Sequence, residues 1–320
     1  MKPFILTVSL NPAVDKTVLV SNFQIGKDFR EKSIFLSAGG KGVNVSRVLG
    51  RLGINNIACG LIGGSNGNYL KEQLTKEKIK HDFLTIKGNS RLSLTVIDPV
   101  TNVITRLLER GPEVSNYELN LFRKKFVSLL KNCRGVILSG RSIPGAPDSF
   151  YAELITIAKK KNIITVLDTS AKPYKLALLK RPFMIKPNLM EAEDLAAQKL
   201  NTLPKIKNFI SSWHKKGIPV IALTLGSKGA IVSNQREMLL AQPPHVKRKN
   251  PVGCGDAFIA GFISAYLKNK NFSECVRLAT SCGTANALSI NPGFINLATL
   301  KKISAKVRLS NLIPKKQKQF

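Results

Sequence analysis

Two glycines and a carboxylate stand together in Pro251-Val252-Gly253-Cys254-Gly255-Asp256-Ala257-Phe258, which leads into the apolar run Ile259-Ala260-Gly261-Phe262-Ile263. Glycines beside a helix start permit a tight turn whose backbone N–H groups converge on one point. With the positive end of the helix they make an anion site. Asp256 falls in the first turn, where the dipole favours its ionised, proton-accepting form. Phosphoryl transfer calls for this pairing, because its loose transition state needs orientation and charge neutralisation more than a strong base. Taken alone, the segment reads equally well as an ordinary Gly-rich helix start.

A second glycine loop, Ala38-Gly39-Gly40-Lys41-Gly42-Val43-Asn44, also opens onto a helix. It is not a Walker loop, since Gly42 follows Lys41 where Ser or Thr is required. Backbone at Gly39 and Gly40 lets a sugar come close, and Asn44 offers its amide to hydroxyls; a plain capping loop is the alternative. Lys186-Pro187-Asn188-Leu189-Met190-Glu191 ends a strand and begins a helix, at the edge where open α/β sheets bind ligands. Asn188 and Glu191 can hold water around a magnesium ion, which prefers oxygen ligands. Thr224-Leu225-Gly226-Ser227-Lys228-Gly229 closes another strand with a turn on which phosphate or ribose can rest.

The elements that must carry these loops are legible as alternating patterns. Phe4–Val8 reads as a buried strand, and Val45, Val48, Leu49 and Leu52 form one helical stripe that Gly53 ends. Ile57–Ile62, Gly135–Ser139, Ile163–Leu167, Phe183–Ile185 and Pro219–Leu225 read as further strands. Helices are expected through about Ile79, from a cap at Asp148, and from Gly255 to about Lys268. This alternation predicts an α/β fold, a doubly wound and mostly parallel sheet with helices on both faces. Two stretches, about 15–37 and 90–110, break the rhythm as hairpins; Leu92, Leu94 and Val96 alternate there as in a sheet with one covered face. The hairpins are expected to form a small lid within one domain spanning 1–320, and the basic segment Lys301–Phe320 to fray.

Composition narrows the partners. In 320 residues, 50 Lys and Arg against 19 Asp and Glu give a net charge of +31. The cations lie in short scattered runs such as Lys159-Lys160-Lys161 and Lys247-Arg248-Lys249, without aromatic interleaving. That is the pattern of a solvated surface, so neither nucleic acid nor membrane is the expected partner. A nucleic-acid-binding role would need a concentrated basic face and a steep salt dependence. Five unpaired-looking cysteines and no long apolar run point to a reduced, cytoplasmic setting. Three dispersed histidines do not make a zinc site.

The order of these motifs resembles the phosphofructokinase B branch of the ribokinase-like sugar kinases, from Leu10-Asn11-Pro12-Ala13-Val14-Asp15-Lys16-Thr17 to Cys282-Gly283-Thr284-Ala285-Asn286. Gly39–Gly42 and Gly111-Pro112-Glu113 look most like 1-phosphofructokinase and tagatose-6-phosphate kinase, with 6-phosphofructokinases similar. The resemblance implies ATP and Mg2+ as cofactors and a phosphorylated ketohexose as acceptor. It makes Asp256 the base and Gly253, Cys254 and Gly255 the anion hole. Asp15, Gly39, Gly40, Lys41 and Asn44 would hold the sugar, and Lys27, Arg30, Arg91 and Ser139 its existing phosphate. Lys186, Asn188, Glu191, Thr224, Gly226, Gly229 and Asn286 would face nucleotide and magnesium. Exposed lid edges make a homodimer through the lids the expected assembly. Two departures stand out. Cys254 replaces the usual Ala or Ser, so an acidic, reactive thiol is expected there. Arg141, in Ser139-Gly140-Arg141-Ser142-Ile143-Pro144-Gly145, adds charge beside the substrate phosphate. A catalytically silent relative is the remaining reading, opposed by competent residues at every chemical position.

Overall fold

The computed structural model describes residues 3–30 and 33–313. Its strands are β1 (Phe4–Ser9), β2 (Ala13–Leu19), β3 (Ser33–Gly39), β4 (Asn56–Gly63), β5 (Leu84–Ile86), β6 (Arg91–Ile97), β7 (Ile104–Leu108), β8 (Cys133–Ser139), β9 (Ile164–Asp168), β10 (Met184–Ile185), β11 (Val220–Thr224), β12 (Ala230–Ser233), β13 (Met238–Gln242) and β14 (Arg308–Asn311). The helices are α1 (Lys41–Arg51), α2 (Gly64–Lys76), α3 (Asn116–Leu129), α4 (Phe150–Lys159), α5 (Ala171–Leu178), α6 (Leu189–Ala196), α7 (Leu203–Lys215), α8 (Cys254–Leu267), α9 (Phe272–Ala287) and α10 (Leu297–Lys306).

β1 is buried along its whole length and has parallel neighbours, β4 and β8, on its two sides. A strand covered on both faces needs helices above and below, and its side chains divide between two cores. Leu6 and Val8 join the core under α3, α4, α5 and α7, while Ile5 joins the one under α1, α8, α9 and α10. The large sheet runs β14-β13-β12-β11-β10-β9-β8-β1-β4-β5, parallel from β11 to β5. The carboxyl ends of β1, β8, β9, β10 and β11 therefore share one edge, and the predicted ligand loops at 186–191 and 224–229 follow from that edge.

β12, β13 and β14 extend the sheet antiparallel beyond β11. This corrects the expectation that Lys301–Phe320 is irregular. Asn296 caps α10, Leu300, Ile303 and Val307 pack into the core, and β14 pairs with β13. The last residues of that segment, from 314 on, lie outside the described residues. A smaller correction concerns α4: its cap is Ser149, one residue beyond Asp148.

The hairpins β2–β3 and β6–β7 join through parallel pairing of β2 with β6, making a separate four-stranded sheet in the order β3-β2-β6-β7. One covered face was expected for β6. Instead Ser93 and Thr95 are buried and Leu92 and Leu94 only half so, because the polar face is turned toward the charged pocket described next.

Candidate active site

Gly253 caps α8 with φ 84°, a left-handed conformation that favours glycine. The following turn carries Asp256, only 4% exposed. A Cβ on Gly255 would fall 2.9 Å from Lys186 Nζ, so glycine is what lets that ammonium lie against the turn. Asn286 was expected at the nucleotide, but it is wholly buried and its amide is committed to the protein. Its Oδ1 accepts from the Gly293 N–H at 2.7 Å, and its Nδ2 donates to the Val252 carbonyl at 2.8 Å and toward Cys254 Sγ at 3.4 Å. Asn286 braces the turn rather than facing a ligand.

The Gly39–Asn44 loop meets this turn directly. Asn44 Nδ2 donates to Asp256 Oδ2 at 2.9 Å, across 212 residues of sequence. Beside them Asp15, on β2, lies so close to the β3 backbone that a Cβ on Gly39 would sit 2.1 Å from its Oδ2. Burial pushes the Asp256 carboxyl up to about 6, with Asp168 adding to the rise and Lys41, Asn44 and Lys186 opposing it. A carboxyl so tuned is mostly ionised at neutral pH and binds a proton more firmly than a free one.

Asp168 was not singled out from sequence, yet it anchors the cations of the site. It ends β9 at the ligand edge, 1% exposed, with Lys41 Nζ at 3.2 Å and Lys186 Nζ at 3.4 Å from its Oδ1. Burial alone would raise its pKa, but Lys186 and Lys41 overcome this and hold the carboxyl below its usual range. Lys41 is held protonated: burial works against its charge, and Asp168, Asp256 and Glu191 outweigh it. The available signal was positional, a lone Asp closing an apolar strand at the ligand edge.

Asn188 and Glu191 form a capping box at the start of α6, with Glu191 N–H to Asn188 Oδ1 and Asn188 N–H to Glu191 Oε2 both at 2.9 Å. A single bridge joins Asn188 to Thr224, so the two expected nucleotide motifs are neighbours. Gly226 opens a short turn on to free space, and Gly229 passes close under the Ala241 carbonyl. Among the described residues no cluster of three or more His, Cys, Asp or Glu is poised to hold a metal. The oxygens on offer, Glu191 and the buried, unpartnered Oδ2 of Asp168, suit magnesium that keeps waters and phosphates as its other ligands.

At the opposite end of the pocket Arg91 Nε donates to the Asn11 carbonyl at 3.1 Å and its Nη1 to the Glu109 carbonyl at 3.3 Å. Burial raises the pKa of Asp15, against the pull of Arg106 and Arg91. Arg106 was not anticipated; β-register sets it beside Thr95 and Thr17, on the face that carries Asp15. Arg141 is exposed and its charge reaches Arg91. Ser139 is fully buried at the end of β8 with its hydroxyl unpartnered among the described residues. Lys27 and Arg30 are exposed on the connection between β2 and β3. Cys254 departs from expectation: burial pushes its thiol up to about 11, the reverse of an acidic thiol.

The family described as "pfkB family carbohydrate kinase" matches residues 9–298. The chain is 32% identical over 308 residues to a tagatose-6-phosphate kinase of Staphylococcus epidermidis, covering 95% of this chain and 99% of that protein. A solved structure from Thermotoga maritima, described as a possible 1-phosphofructokinase, is similar with TM-score 0.88 and 25% identity, covering 97% and 100% of the two chains. Phosphofructokinase-2 from Escherichia coli, in complex with potassium, shares the fold with TM-score 0.89 and 23% identity, over 95% and 99%. The chain belongs to the pfkB family of carbohydrate kinases, and its chemistry is the ATP-dependent phosphorylation of a sugar phosphate.

Proposed function

We propose that the acceptor is a phosphorylated ketohexose, most simply fructose 1-phosphate, converted to fructose 1,6-bisphosphate with Asp256 as proton acceptor. The observation that carries this reading is the contact of Asn44 with Asp256, which puts the base where the sugar loop and the anion-hole turn meet. The free sugar hydroxyl attacks the γ-phosphorus of ATP in line. Its proton passes to Asp256, the new P–O bond forms, and the bond to the ADP oxygen breaks. Gly253, Cys254 and Gly255 would turn backbone N–H groups to the moving phosphoryl, Cys254 giving up the long bond its N–H makes to the Pro251 carbonyl at 3.3 Å, and Lys41 and Lys186 neutralise its charge. Magnesium, held through water by Asn188 and Glu191, would supply further charge neutralisation on the ATP phosphates. Asp15 grips hydroxyls, while Arg91, Arg106 and Arg141 suit the phosphate already on the sugar, with Lys27, Arg30 and Ser139 as its other expected contacts.

Similarity to a tagatose-6-phosphate kinase favours tagatose 6-phosphate as the second candidate acceptor, with fructose 6-phosphate the third. A coupled assay with ATP and each of the three, alongside fructose and ribose, tests the reading. The highest kcat/KM belongs to fructose 1-phosphate; preference for an unphosphorylated sugar would overturn the assignment of the arginine cluster. The same reading includes a homodimer joined through the lids, which the surface of the small sheet suits. Strand register places Leu36, Lys16, Leu94 and Leu107 in one row across it, and Ile34, Leu36 and Leu107 are exposed.

A further inference from the structure

Arg47 lies on α1 one turn beyond Asn44 and is 3% exposed. Its guanidinium donates from Nη1 to Asn44 Oδ1 at 3.1 Å and to the Pro292 carbonyl at 3.0 Å, and from Nη2 to the Ala38 carbonyl at 2.7 Å and Glu77 Oε1 at 2.9 Å. Its Nε donates to Glu77 Oε2, and its face stands 4.6 Å over the Phe294 ring. All its N–H-bearing nitrogens are therefore engaged, which fixes the group in one place. The residue after Pro292, Gly293, is the one whose N–H Asn286 holds. Arg47 thus ties together the sugar loop at Ala38, helix α1, helix α2 through Glu77, and the loop behind the anion-hole turn.

We propose that Arg47 is a positioning residue for the base: by donating to Asn44 Oδ1 it leaves only the amino end of that amide to face Asp256. The proposal rests on Asp256 being the proton acceptor. An Asn amide has a donor end and an acceptor end, and which one meets a carboxyl decides which form of the carboxyl is favoured. The amino end stabilises the ionised, working base; the carbonyl end would stabilise the protonated, idle acid. Without Arg47 only the charge of Asp256 itself favours the first orientation, and protonation of Asp256 removes that preference. The charged groups that face Asp256 are Lys41 from α1, Asp168 from β9 and Lys186 after β10, while Cys254 stands beside it on α8. Glu77 offsets the charge of Arg47, so the part-buried pair acts through geometry rather than as a net charge.

The test follows the pH dependence of kcat and kcat/KM for the sugar phosphate in the wild type, Arg47→Lys, and the double variant Arg47→Met with Glu77→Gln. The double variant removes the ion pair as a neutral unit, so a shift that survives in it reports the orientation of Asn44. Its acid limb moves up by about one pH unit, which is about a tenfold loss at acid pH, and the rates converge toward wild type at alkaline pH. Arg47→Lys gives a smaller shift in the same direction, and it carries the test if the double variant does not melt as a folded protein. A loss of equal size at every pH, or an unmoved acid limb in a folded variant, overturns the proposal. An acid limb that persists in the residual activity of Asp256→Asn would instead remove the base assignment on which the proposal stands.

Discussion

At the scale of single residues, the site turns on how burial and neighbouring charge set each group's proton affinity. Burial pushes the Asp256 carboxyl up to about 6, and as the proposed base it must be ionised to accept a proton. Turnover is therefore expected to hold on the alkaline side and to fall as pH drops through about 6, as a pH profile of kcat would show. Cys254 sits in the same turn with the opposite prospects. With its thiol pushed up to about 11 and the Asn286 amide turned toward its sulfur, it carries almost no thiolate at neutral pH. Alkylation by iodoacetamide at pH 7 should run slower at Cys254 than at a free thiol, and Cys254→Ala should keep wild-type turnover; rapid, inactivating modification would contradict this. Sequence singled out Asp256 because a carboxylate in a Gly-rich helix start is a local pattern, and the fold buries it against Asn44. It missed Asp168, whose importance comes from Lys41 and Lys186, brought to it only by the fold.

Elements act by bringing backbones close enough for these groups to meet. β3 passes Asp15 with no room for a side chain at Gly39, where an added Cβ would overlap the carboxylate at 2.1 Å. Gly39→Ala must displace Asp15, and a misplacement of that order costs roughly 10²-fold in kcat/KM for the sugar phosphate. The KM for ATP should change far less, since the nucleotide loops follow β10 and β11; steady-state kinetics with each substrate varied would show whether the loss is confined to the sugar. The parallel strands were legible because buried runs ending in Gly or Asn loops are a local signal. β12–β14 and α10 were not: the three strands are only four or five residues long, and Lys301 and Lys302 interrupt the apolar residues of α10. Antiparallel pairing onto β11 makes the three strands regular, and α10 buries Leu300 and Ile303 in the core.

For the whole molecule, the proposed function divides the work between the two sheets: the large one would lay out the nucleotide and anion-hole loops, and the small one carries Asp15, Arg91 and Arg106 for the sugar phosphate. The net charge of +31 gives the molecule a field that favours anions generally, an effect that added salt should weaken. The exposed row of Leu36 and Leu107 on the small sheet is apolar surface that a second copy would cover. The protein should sediment as a dimer, and Leu36→Glu with Leu107→Glu should shift it to monomers while the melting of the large domain's core persists. A wild-type monomer would contradict assembly through the lids. The doubly wound plan was legible from alternation alone; the buried polar face of β6 was not, since Ser93 and Thr95 take their meaning from the pocket they line.

The most direct test of the account is the turnover of Asp256→Asn with ATP and the sugar phosphate, measured on protein whose melting curve shows an intact fold. Loss of the proton acceptor should lower kcat by about 10²–10⁴-fold while both substrates still bind. Wild-type turnover in that variant would contradict it.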